Sequence, residues 1–188
     1  MLERKGISRR QEIANRLADA ISLVLPYALD TKTRLEFSHQ VNNVSLPRRM
    51  ATEQEAQQAT AKLQELNARV SGPSWEKSQQ QDIIDSFENP GANRTYSMEL
   101  HVLRLGEIAM ASNPFEYYLD FGIRIKTRSK AALTFVIQLA GGGSYVPTSK
   151  AIQGGGYSAE ISSNLVGAEG GQVLVNETVK QINNLFTE

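Results

Sequence analysis

The stretch from Glu107 to Leu139 constrains the fold of this 188-residue chain more than any other part. Ile108-Ala109-Met110-Ala111 reads as a short buried strand, entered by a tight reversal at Gly106-Glu107. Asn113-Pro114-Phe115-Glu116 predicts a helix start, with Asn capping, Pro at the first position and Glu at the third. That helix is expected to run through Leu119 and Ile123 to about Thr127. Ala132 to Leu139 is nearly continuous in apolar residues, the pattern of a strand covered on both faces. The segment is therefore strand, helix, strand. A parallel pair so connected takes a right-handed crossover, and ligands of open sheets gather beyond the carboxyl ends of their strands. Glu116 follows the first of those ends and Tyr145 the second, so the two are expected to meet at one edge.

The rest of the chain supplies flanking elements. Ser8-Arg9-Arg10-Gln11 is a helix-opening capping box. Ile13, Leu17, Ile21 and Val24 then mark one helical face, and Pro26 stops it. Leu35, Phe37, His39 and Val41 alternate, and Val44 and Leu46 continue in the opposite phase, which predicts a bulge or two short strands near Asn42-Asn43. His39 falls on the apolar side and reads as a packed, hydrogen-bonded histidine. Residues 52 to 71 form a polar helix with a narrow stripe of Ala56, Ala59, Leu63, Leu66 and Val70, an i,i+4 pair Glu65–Arg69, and a stop at Ser71-Gly72-Pro73. A short helix from Trp75 to Phe87 follows, with Trp75 as its expected anchor, and then a turn at Glu88-Asn89-Pro90-Gly91. Tyr96, Met98, Leu100 and Val102 alternate as a half-buried strand. His101 lies on its other face with Glu99, solvated or locally paired. The last helix carries Val175, Val179, Ile182 and Phe186 on one face. The expected architecture is a single α+β domain over residues 1–188, with a mixed β-sheet flanked by helices and a β-α-β unit at about 107–139.

Composition excludes several function classes. Twenty basic and twenty acidic residues leave a formal net charge of zero, so no basic field calls for nucleic acid and no basic amphipathic helix for a membrane surface. Without cysteine there is no disulfide, thiolate nucleophile or Cys-type zinc site. Met1-Leu2-Glu3-Arg4-Lys5-Gly6 has no apolar run behind it and is not read as a signal peptide. Two histidines are few for a self-contained metallohydrolase. Gly143-Ser144-Tyr145-Val146-Pro147-Thr148 lacks the second glycine of a P-loop. Pro147, and the absence of a helical pattern after Gly141-Gly142-Gly143, argue against a dinucleotide fingerprint. Neither Gly-x-Ser-x-Gly nor His-Glu-x-x-His occurs.

The region left is the glycine-rich stretch from 141 to 171. Tyr145 and Tyr157, twelve positions apart, are both carried on glycine-rich backbone. The interleaved Tyr145, Val146, Pro147, Ile152 and Tyr157 predict a structured loop rather than a linker. The tyrosines could pin that loop by packing or serve a site. Glu116 has two readings as well, a helix cap or a ligand.

The run Leu103-Arg104-Leu105-Gly106, Pro114-Phe115-Glu116, Tyr145-Val146-Pro147-Thr148 and Gly155-Gly156-Tyr157 resembles the neutral/alkaline, non-lysosomal ceramidase family. The similarity is specific over 103–157 and looser before it, taking in the opening helix and Leu46-Pro47-Arg48-Arg49. The resemblance implies a zinc amidase that cleaves the N-acyl bond of ceramide-like lipids. It implies Glu116 and Tyr145 as zinc ligands and Tyr157 as the catalytic tyrosine at the scissile carbonyl or its oxyanion. Such chemistry is sound: zinc polarises a carbonyl or activates a nucleophile, a cation favours the phenolate of a ligating tyrosine, and a tyrosine hydroxyl stabilises an oxyanion. The chain departs from the pattern in two ways. The family's Pro-Gly-Glu is Pro114-Phe115-Glu116 here, and the bulk of Phe115 is expected to reshape the site or pocket. The family's histidine ligands and serine nucleophile precede the matched region, and neither His39 nor His101 sits in a matching motif. The resemblance thus implies the C-terminal portion of a larger catalytic domain, inactive alone and not retaining zinc, with a missing N-terminal half or self-association to cover apolar surface. The alternative is a non-catalytic binding or assembly module that kept the scaffold. Family members are secreted or periplasmic.

Overall fold

The structure is a computed structural model and describes residues 6–28, 31–69, 72–89, 91 and 94–187. The chain divides into two compact units, Met1–Leu35 and Glu36–Glu188. The first unit is built on helix α1 (Arg9–Val24). Ser8 caps it as expected, its hydroxyl accepting from the Gln11 N–H at 3.2 Å. Pro26 sits in the 3-10 turn Leu25–Tyr27 that ends it, since proline carries no N–H to continue a helix. Ile13, Leu17, Ile21 and Val24 are all exposed.

The second unit is organised by a four-stranded mixed sheet in the order β1-β2-β3-β5 (β1 Phe37–Pro47, β2 Thr95–Leu105, β3 Ile108–Ser112, β5 Leu133–Ile137). β1 and β2 are antiparallel, β2 and β3 form a hairpin, and β3 and β5 are parallel. Gly106, at φ +60°, makes the reversal between β2 and β3. Helices α4 (Leu119–Arg128) and α6 (Ala168–Asn184) cover one face: α6 packs on β1, β2 and β3, and α4 on β5 and α6. The main core lies between these layers and includes Leu46, Leu100, Val102, Ala109, Phe115, Phe121, Val146, Val175 and Ile182. The α+β expectation and the strand–helix–strand unit hold.

Three local expectations for the sheet do not. β1 is one uninterrupted strand whose register with β2 runs from Phe37↔Leu105 to Pro47↔Thr95. The phase slip at Asn42-Asn43 is a change of apolar face, not a bulge: Val44 and Leu46 point into the core, whereas Phe37, His39 and Val41 lie on the other face, exposed. β5 is likewise covered on one side only. Thr134 is buried, but Leu133, Phe135 and Ile137 are about half exposed, at 50, 45 and 44%. They line up with Ile108, Met110 and Ser112 of β3 on the outer face. His39 is exposed rather than packed, although it keeps a hydrogen-bonding partner.

A second small core holds helices α2 (Glu53–Ala68) and α3 (Ser74–Glu88) together through Ala51, Ala59 and Ile83. Thr52 and Glu55 form a reciprocal capping box at the start of α2. Ala56, Ala59 and Leu66 are the buried part of the expected stripe, and the Glu65–Arg69 pair is present. Val70 and Ser71, and Pro90 in the expected turn, lie outside the described residues. Trp75 is 62% exposed and does not anchor α3; Ile83 does. No helix among the described residues is long and apolar enough to cross a membrane.

Candidate functional site

The site begins where the helix was expected to begin. Asn113 is buried, and its Oδ1 accepts the Phe115 N–H at 3.0 Å, closing a local turn instead of capping a helix. Its own N–H donates to the Ile137 carbonyl at 2.9 Å, and its carbonyl accepts from the Ala140 N–H at 3.0 Å. These pairings with Ile137 and Ala140 keep residues 113–116 out of a helix: Pro114 and Phe115 form a bend that leads into a strand at Glu116. Glu116 and Tyr117 form β4 (Glu116–Tyr117), which pairs in parallel with β6 (Tyr145–Val146). Helix α4 starts only at Leu119, after Tyr118, with no side-chain cap. The capping reading of Glu116 is therefore overturned, because pairing with a distant segment outweighs the local helix-start signal. Gly143 permits the approach: a Cβ there would lie 2.2 Å from the Pro114 carbonyl oxygen.

In the β4–β6 register Glu116 stands directly opposite Tyr145. The Glu116 N–H donates to the Ser144 carbonyl at 3.1 Å. The neighbouring Glu116 carboxylate raises the Tyr145 pKa, with partial desolvation adding in the same direction. Tyr157 follows Gly155 and Gly156, both at positive φ (+72° and +118°), a backbone that glycine adopts without steric penalty. Its ring meets the Tyr145 ring edge-on, with centroids 5.8 Å apart. Tyr157 is 74% exposed and stands at the rim, whereas Tyr145 and Glu116 are half-buried. All three residues line one open pocket of about 840 Å³. Arg48, Asp82, Asp85 and Ile161 contribute to its other walls. Phe115 does not line it. Its side chain is fully buried in the main core against Tyr96 (centroids 5.4 Å apart), so its bulk goes into the body and not the pocket.

The residues that hold this arrangement were not foreseen. Asn164 is buried; its Nδ2 donates to the carbonyls of Tyr145 (3.1 Å) and Ser158 (3.0 Å), tying both tyrosine-bearing segments together. Its Oδ1 accepts from Arg49 Nη1, which also donates to the Ala159 carbonyl at 2.6 Å. Arg49 Nη2 reaches Glu55 at 2.6 Å, linking the network to α2. The Ser144 hydroxyl accepts from the Leu165 N–H at 2.8 Å, and Tyr118 and Ser158 share a hydroxyl–hydroxyl bond of 2.5 Å. Buried polar groups of this kind are costly unless paired. The only advance signal was Arg49 at the end of the Leu46-Pro47-Arg48-Arg49 run.

Glu116 and Tyr145 offer two adjacent oxygen donors to a cation. A catalytic zinc takes three protein ligands, and among the described residues no three His, Cys, Asp or Glu are grouped to hold a metal. The pair falls one donor short. The Glu116 carboxylate raises the Tyr145 pKa, and a cation bound between them would act in the opposite direction.

Comparison with known proteins finds no matching family and no matching curated protein. Two solved structures are similar in fold. One is a neutral ceramidase from Pseudomonas aeruginosa, 17% identical, with a TM-score of 0.47 over 79% of this chain and 29% of that one. The other is a ceramidase complexed with C2, 16% identical, with a TM-score of 0.42 over 47% of this chain and 15% of that one. This chain thus spans less than a third of the length of either. The likeness concerns fold alone and carries no argument about activity.

Proposed function

We propose that the pocket walled by Glu116, Tyr145 and Tyr157 is part of an amide-hydrolase site of the ceramidase type, acting on the N-acyl bond of a ceramide-like lipid. The observation that carries this reading is the direct register pairing of Glu116 with Tyr145, with the Tyr157 ring edge-on beside them. Three residues that resemble a family's site, spread over 42 positions of sequence, share one pocket. In this reading the Tyr157 hydroxyl, exposed at the rim, donates to the amide carbonyl and strengthens that bond as negative charge develops on the oxygen. Glu116 and Tyr145 are two ligands of a Zn2+ whose remaining donors come from outside this chain, and bound zinc would supply a Lewis acid.

The experiment joins this chain to a segment that carries paired histidines and measures zinc content and N-acylsphingosine hydrolysis. Glu116→Gln and Tyr145→Phe are expected to lose zinc and activity together, and Tyr157→Phe to lose activity while retaining zinc. Full activity in both ligand variants would sink the assignment. The second reading, a binding module without turnover, is favoured by the two-donor count among the described residues. Saturable binding of a short-chain ceramide by the joined protein, with neither zinc nor hydrolysis, selects it.

A further inference from the structure

The outer face of the sheet, away from α4 and α6, carries a second cluster of metal-ligating side chains. His39 on β1 pairs with Leu103 and His101 on β2 pairs with Val41, so the two histidines are diagonal neighbours on one face, two residues from being directly opposite. Their rings stack with centroids 5.4 Å apart and an interplanar angle of 19°. His39 Nε2 lies 3.2 Å from His101 Nδ1. A tetrahedral ion bound at about 2.0–2.1 Å by two imidazole nitrogens separates them by about 3.3 Å, and square-planar coordination brings them to about 2.9 Å. The observed spacing lies between these two bites. His39 is exposed and His101 half-buried, so small χ rotations suffice to turn both lone pairs onto one ion.

The second observation is the carboxylate behind His101. Glu99 Oε2 lies 3.5 Å from His101 Nε2, the nitrogen that faces away from His39. A carboxylate on that side favours the tautomer with the proton on Nε2, which leaves the Nδ1 lone pair for an ion, as outer carboxylates do for metal-binding histidines. The 3.2 Å contact requires one ring nitrogen to donate to the other. When an ion binds, that proton moves through water to the solvent-facing nitrogen of the same ring, with no change of net charge.

We infer that His39 and His101 form a chelating site for one late first-row divalent cation, with water completing the coordination. Two neutral imidazoles select Cu2+, Ni2+ and Zn2+ over the oxygen-preferring Mg2+ and Ca2+. Cu2+ binds most tightly in the general order of such ions. The site is exposed and has two protein ligands, so it exchanges its ion freely and is emptied by a chelator. It is independent of the Glu116–Tyr145 pair. Its physical effect is a staple across the long β1–β2 pair, stabilising the folded chain by an amount that grows with the logarithm of free ion concentration above the Kd.

The test is titration of the intact chain with Cu2+ and Zn2+ by calorimetry, with thermal melts in parallel. One equivalent per chain is expected, with a rise in Tm that His39→Ala and His101→Ala each abolish. A circular dichroism spectrum unchanged in the metal-free variants shows that the fold survives. Glu99→Gln is expected to weaken the site without removing it. Glu116→Gln with Tyr145→Phe is expected to leave it intact, which separates this site from the pocket. Three outcomes overturn the inference: no Cu2+ binding by the wild-type chain, binding unchanged in both histidine variants, or one ion shared between two chains in sedimentation.

Discussion

Two regions of the larger unit are held together by different physics. The body of sheet, α4 and α6 rests on apolar burial, with Leu100, Val102, Val175 and Ile182 all within 1% of fully buried. The site segment, from Asn113 through β4, β6 and Asn164, rests on hydrogen bonds among polar groups, chiefly the buried Asn113 and Asn164 and the half-buried Arg49. Burial is non-directional and scales with area, so it fixes layers without fixing single atoms. Hydrogen bonds are directional and costly to leave half-made, so they set where a carboxylate or a hydroxyl stands. The pocket needs the second kind of order, and the body supplies a base for it.

The largest effect is expected in the body. Leu100→Ala removes a side chain from the main core and is expected to cost about 2–5 kcal/mol, read from urea unfolding followed by circular dichroism. Phe135→Ser, on the open face of the same sheet, is expected to change stability by no more than about 0.5 kcal/mol. A comparable loss at both positions would mean that the outer face is covered in solution, and the contrast between the faces would fail.

Asn164→Ala tests the other half of the comparison. It strips the Tyr145 and Ser158 carbonyls of their donor and Arg49 of an acceptor. Each group left buried and unpaired costs about 1–3 kcal/mol, but Tyr145 and Arg49 line the open pocket, where water replaces part of what is lost, so the net loss is expected to approach that of Leu100→Ala without exceeding it. Its distribution matters more than its size. Amide exchange is expected to quicken from Tyr145 to Leu165 while β2 and α6 keep their protection. Uniform quickening across all of them would show a single cooperative block.

How much of this was legible in the sequence divides along the same line. The alternation of Tyr96, Met98, Leu100 and Val102 and the helical spacing of Val175, Val179 and Ile182 are repeated signals, and each gave its element and buried face. Asn113-Pro114-Phe115-Glu116 misled because it is a sound local helix start, and the groups that decide its conformation are Ile137, Ala140 and Ser144. The continuous apolar run of β5 reads the same whether one face is covered or two. The meeting of Glu116 with Tyr145 followed from strand ends alone, even with the helix misplaced. Asn164 and Arg49 are 115 residues apart, and a single polar pairing over that distance leaves no period to read.

The smallest expected effect compares two tyrosines whose pKa values move the same way for different reasons. Tyr117, in the body, is stacked on Phe121 at 4.6 Å and donates its hydroxyl to the Gly171 carbonyl. Burial raises its pKa. Tyr145, in the site, is raised chiefly by the neighbouring Glu116 carboxylate. Each holds its proton more tightly in the folded chain than in the unfolded one. The stability each contributes is therefore complete below the ordinary tyrosine value of about 10 and is lost as pH rises through the folded value. Glu116→Gln removes a neighbouring negative charge and is expected to bring Tyr145 back toward its ordinary value while leaving Tyr117 unmoved. Phenolate absorbance across an alkaline titration, with Tyr145→Phe and Tyr117→Phe subtracted in turn, resolves the two. If Glu116→Gln shifted neither tyrosine, the carboxylate would not be what raises Tyr145, and the Glu116–Tyr145 pairing would lose its electrostatic support. If it shifted both, the body would be sensing the pocket, and burial alone would not explain Tyr117.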